Sequence, residues 1–187
     1  MRFFPVARVS GTVLALDARW LGSRGLLLSL LLVLFTPGGP LNGDSSAPVT
    51  LKVAIGLSSL LAVVLTSLLH ECGHAVAGRL AGLPVRAIVL APEGAATIRT
   101  DSERPHVNFR TALAGPLVNV CLGTACAVVA SCLVPHTFAA TFLGELAALQ
   151  LLTGVTNLLP IGPLDGTKIV AAWRACRACS GVQALAS

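Results

Sequence analysis

Long apolar runs, broken by short clusters of arginine, glycine and proline, dominate this chain. One runs from Val53 to about Gly78, opened by Lys52 and closed by Arg79. Another covers residues 111–133 and ends at Pro135; the next covers residues 137–159 and ends in the Pro160–Pro163 break, where proline cannot continue a helix. Each is long enough to cross a hydrocarbon core of about 30 Å. An earlier stretch, residues 20–36, contains Arg24 and is purely apolar only over Leu26–Phe35. It reads as a further span or as the apolar region of a signal peptide; the long basic leader and the loop-like TPGGPLNGDSS after it favour a span.

Between the second and third spans the period changes. Val85–Leu90 is β-branched and apolar, Pro92-Glu93-Gly94 is a turn signal, and Ala95–Thr100 resumes as a short strand. A β-hairpin is predicted over residues 84–100, with another strand in the N-terminal PVARVSGTVLAL. The expected fold is therefore an all-α membrane protein of about four transmembrane helices with a small β-sheet. A single membrane domain over residues 1–187 is expected, with no appended soluble domain.

Composition supports lipid as the solvent. Hydrophobic residues make up 55% and charged residues 11%, too few charges to cover a water-facing surface. The net charge of +5 matters through its placement. Basic residues cluster at Arg2–Arg24, at Arg79–Arg110 and at Lys168–Arg177, while residues 36–50 have none. Four spans put every cluster on the cytoplasmic side, with both termini there. No dense basic run with interleaved aromatics is present, which argues against nucleic-acid binding. Of the six cysteines, Cys121, Cys126 and Cys132 sit in an apolar run as small hydrophobes. Cys176 and Cys179 form a lone C-x-x-C, read as reduced thiols with no assigned role.

The second span carries His70-Glu71-Cys72-Gly73-His74. On a helix, residues four apart share a face, so both imidazoles can reach one ion while Glu71 reaches a water on it. The bland alternative is a solvated helix face. At 1.5 Å per residue, however, His70 lies about 14 Å from Arg79 and about 27 Å from Lys52, inside the membrane and nearer the cytoplasm. Ionisable groups at that depth cost at least ~2.5 kcal/mol each.

A catalytic zinc site usually has a third protein ligand. Asp17, Asp44, Asp101 and Glu103 lie in the leader or in loops, and Glu145 lies about 30 Å of helix before Asp165, toward the opposite face. Asp165, just after the Pro160–Pro163 break, remains at the depth of His70. A broken helix lets a short carboxylate turn inward.

These residues resemble the site-2 protease family, the M50-type intramembrane metalloproteases. The resemblance rests on His70-Glu71-Cys72-Gly73-His74, on Ala114-Gly115-Pro116-Leu117-Val118-Asn119, and on the stretch from Asn157 to Gly166, in that order over about Leu60–Lys168. It implies one zinc ion held by His70, His74 and Asp165, Glu71 as catalytic base, and Asn119 and Asn157 as polar residues beside the site or in an oxyanion role. It implies an endopeptidase that cuts a membrane-protein substrate within the bilayer. Thr167 departs from the family, where a second glycine often follows Asp-Gly, and no PDZ or CBS domain is attached. Two other readings use the same residues: a membrane metal-binding or transport protein, and an inactive relative. Neither needs a general base, and Glu71 is present.

Overall fold

The computed structural model describes residues 3–9, 11–17, 49–91, 94–135 and 137–185. Strands β1 (Phe3–Val9) and β2 (Thr12–Asp17) precede helix α1 (Val49–Leu80). Strands β3 (Val85–Ala91) and β4 (Gly94–Arg99) follow, then helices α2 (Pro105–Cys132), α3 (Phe138–Asn157) and α4 (Asp165–Leu185). The expected span at residues 20–36 lies outside the described residues.

Among the described residues three helical stretches are long and apolar enough to cross a membrane: Gly56–Leu80, Pro105–Cys132 and Phe138–Asn157. They match the three stronger expected spans. α2 starts earlier than its apolar run because Pro105 occupies the first turn, where its missing N–H costs nothing. α3 starts at Thr137, whose side chain accepts from Ala140 N. α4 has no counterpart among the expected elements; its sequence mixes Lys168, Arg174 and Arg177 with apolar residues and lacks a long apolar run.

The expected hairpin over residues 84–100 is present as β3–β4. The N-terminal segment forms two strands rather than one, turning at Gly11, whose φ of 81° suits glycine. All four strands make one sheet in the order β1-β2-β3-β4. The outer pairs are antiparallel, and β2 and β3 run parallel with Val13 opposite Ala87 and Leu16 opposite Leu90. Arg79 in the last turn of α1 bonds Thr12, and Thr97 Oγ1 on β4 donates to Glu71 O at 3.0 Å. The sheet is thus fastened to the C-terminal part of α1, whose other end lies about 48 Å away.

The bundle is small and polar inside and large and apolar outside. Ser59, Ala62, Thr66, Ala112, Asn119, Ala147 and Gln150 are buried, while Val53, Leu57, Leu61, Leu117, Val128, Leu152 and Val155 are exposed. That is the packing of helices whose solvent is hydrocarbon, where close approach and internal hydrogen bonds replace the hydrophobic drive. Gly154 on α3 packs tightly against α2: a Cβ there would lie 3.0 Å from Pro116 O and 2.9 Å from Val120 Cγ2. Gly154→Val should therefore push α3 off α2 and cost about 1–3 kcal/mol. Thermal unfolding in detergent, read by circular dichroism, is expected to show a lower Tm.

Candidate metal centre

α1 ends its membrane stretch with three buried chemical groups, His70, Glu71 and His74. Their donor atoms all lie within 4.8 Å of one another. The i, i+4 spacing aims both imidazoles at one point, with the rings nearly perpendicular and their centroids 4.7 Å apart. α3 stops at Asn157, the chain turns through Pro160–Pro163, and α4 begins at Asp165. The break delivers the Asp165 carboxylate to the imidazoles: Oδ2 lies 2.9 Å from His70 Nε2 and 3.0 Å from His74 Nε2. The two Nε2 atoms are 3.1 Å apart.

Each group is held from behind. His74 Nδ1 donates to Thr111 O at 2.7 Å. That bond leaves the lone pair of the neutral ring on Nε2, facing the other two atoms. Lys168 Nζ donates to Asp165 Oδ1 at 3.0 Å, leaving Oδ2 for the site. His70 Nδ1 meets the Asn119 carboxamide at 3.2 Å.

Three acceptor-capable atoms at 2.9–3.1 Å from one another suit a cation. A proton on one of them serves its neighbours unevenly, whereas an ion serves all three. Tetrahedral ligands with bonds of 2.0–2.1 Å stand about 3.3 Å apart, near the spacing found here. α2 leaves room on its own side only because residue 115 is glycine: a Cβ there would lie 2.9 Å from His70 Nε2 and closer still to His74. The residues therefore fit a small tetrahedral ion with nitrogen and oxygen ligands.

Of the residues expected at the site, His70, Glu71, His74, Asp165 and Asn119 come together. Asn157 turns back on its own helix, donating from Nδ2 to Thr153 O at 2.9 Å. Glu145 is elsewhere, buried and bonded by Ser59 Oγ at 2.7 Å, so it is no competitor for the third position. Cys176 and Cys179 lie on α4, and none of the six cysteines is disulfide-bonded. Thr111 and Lys168 were not anticipated. Lys168 carries a legible signal, a cation three residues after Asp165 on a helix. Thr111 acts through its backbone, which side-chain pattern does not reveal.

A multi-helix membrane bundle with a histidine–carboxylate cluster is the general class. The particular family follows from comparison with known proteins. The model for peptidase family M50 matches residues 58–180, and the chain belongs to that family. It is 30% identical over 177 residues to Rip3 of Mycobacterium tuberculosis, a protein named as a zinc metalloprotease, covering 91% of this chain and 44% of that one. It is 32% identical over 118 residues to stage IV sporulation protein FB of Bacillus subtilis, covering 61% and 39% respectively. The chain thus spans less than half the length of these curated relatives. Its fold is similar to that of a site-2 protease from Methanocaldococcus jannaschii, with a TM-score of 0.66 at 20% identity, over 93% of this chain and 72% of that one.

The tight seat of Gly115 generates a test. Gly115→Ala should displace both imidazoles and weaken zinc binding about tenfold or more, since ligand geometry sets metal affinity. Equilibrium dialysis against zinc in detergent measures this, with circular dichroism expected to show the helices retained.

Proposed function

We propose that this protein is an intramembrane zinc endopeptidase that hydrolyses a peptide bond in or near a transmembrane segment of another membrane protein. The observation that carries this reading is the triangle of His70 Nε2, His74 Nε2 and Asp165 Oδ2 beside the buried Glu71. His70, His74 and Asp165 hold one zinc ion, and Glu71 is the general base. Glu71 follows His70 directly on the helix, so it is rotated about 100° away from it, while Asp165 already closes the triangle. Zinc bound there supplies a Lewis acid for the scissile carbonyl and a water of lowered pKa. The Glu71 carboxylate takes the water's proton and later passes it to the leaving amine. Asn157, whose Nδ2 is engaged by Thr153 O, takes no part in this reading.

Arg79 follows His74 by five residues on α1, and Arg110 directly precedes Thr111, whose carbonyl meets His74. Positive residues favour the cytoplasmic side, so this end of the bundle faces the cytoplasm and the site lies nearer that surface. A substrate helix must open before its carbonyls can be attacked, because they are bonded within the helix. β4 supplies a place for the opened strand. It is an edge of the sheet, and Thr97 ties it to the backbone of Glu71. An extended substrate adding to this edge would lie beside the base.

A transit site or an inactive relative would need no base, and Glu71 separates these readings. Co-expressed with a tagged single-span substrate, the wild type is expected to cut it. Glu71→Gln should lower cleavage by about 10²-fold or more and leave zinc content near one per chain. Equal cleavage by the two proteins would remove Glu71 from its role. Asp165→Ala should lose both zinc and activity. A proline scan over residues 95–98 of β4 should lower cleavage at alternate positions, where the N–H points to the open edge, with zinc content unchanged. Immunoblotting of the fragments and metal analysis of the purified protein are the two measurements.

A further inference from the structure

The rear nitrogens of the two imidazoles are held by different chemistry. His74 Nδ1 meets a backbone carbonyl, which only accepts. His70 Nδ1 meets the Asn119 carboxamide, which can donate from one side and accept on the other. Asn119 is completely buried, its Nδ2 stands 3.2 Å from His70 Nδ1, and its Oδ1 has no hydrogen-bond partner among the described residues. A half-turn about the terminal torsion exchanges the two ends without changing the shape of the side chain.

The exchange matters to the metal. When His70 Nε2 commits its lone pair to a cation, the ring proton must reside on Nδ1. With Nδ2 opposite it, two donors would face each other in a buried place, at a cost of about 1–3 kcal/mol. With Oδ1 opposite it, the ring proton gains an acceptor and the orphaned oxygen gains a donor. His70 is then held as Thr111 holds His74.

We propose that Asn119 is the positioning residue for His70, its side-chain oxygen receiving the Nδ1 proton and fixing the tautomer and ring plane in which Nε2 binds the metal. This rests on the zinc reading above and assigns Asn119 a role at the rear of the ligand rather than at an oxyanion. An oxyanion contact acts on the reacting substrate and leaves metal affinity alone. A rear acceptor acts on metal affinity before any substrate arrives.

The test compares zinc affinity of the full chain in detergent, by competition with a chromophoric chelator. Asn119→Leu keeps the volume and removes the hydrogen bond; zinc affinity is expected to fall about 10–100-fold. Asn119→Asp supplies an acceptor only and should stay within about threefold of wild type or bind more tightly. Wild-type affinity in Asn119→Leu would overturn the proposal, and so would a loss in Asn119→Asp equal to that in Asn119→Leu. Thermal unfolding with chelator present reports whether each variant folds. If Asn119→Leu does not, Asn119→Asp decides alone, and a loss of about tenfold or more overturns the assignment. Wild type that binds no zinc would sink the protease reading and this inference with it. Wild type that binds zinc with the same affinity as both variants would sink this inference alone.

Discussion

Two imidazole nitrogens and a carboxylate oxygen turned toward one point, within about 3 Å of each other, are the constraint on which the rest of this structure depends. Electron pairs brought so close in a buried place demand a positive partner. Every neighbouring element serves that convergence. α1 supplies the helical spacing, the break after α3 carries Asp165 inward, and α2 offers a glycine where any side chain would intrude. Thr111, Asn119 and Lys168 then stand behind the three groups and leave their inner atoms nothing to bond but the centre.

The same economy of space governs the interior of the bundle. Large aliphatic side chains face outward, and small or polar ones face one another. Ser59 reaches Glu145, while Thr66 Oγ1 and both ends of the Gln150 carboxamide find no partner among the described residues. Rotating α1 or α3 about its axis would turn these groups into hydrocarbon, which costs more than leaving them together. Polar residues therefore fix the rotation of helices whose apolar faces are interchangeable, and with it the direction in which His70 and His74 point.

How legible this was depended on the kind of signal. Span length and the breaks at Arg79, Pro135 and Pro160 are written in residue type, so α1 and α3 were predicted to within a few residues. The His70–His74 pair follows from helical geometry, and Asp165 from elimination. α4 escaped because it mixes charged and apolar residues without a long run, and the second N-terminal strand because two short strands and a glycine turn read as one extended piece. Thr111 escaped for a deeper reason: its contribution is a carbonyl that every residue possesses. Asn119 was visible as a polar residue in an apolar run, but the nitrogen it meets depends on how α2 crosses α1.

The parallel pairing of β2 with β3 carries a consequence for how the chain is made. Val13 and Ala87 are opposite each other, yet a ribosome adding 5–20 residues per second separates their emergence by about 4–15 s. Through that interval β2 has its hairpin mate and no strand on its other side, an open edge of the kind that recruits unrelated strands. The sheet fastened to α1 is completed only after α1 itself has been synthesised, so the newborn N-terminal hairpin must wait for its neighbour.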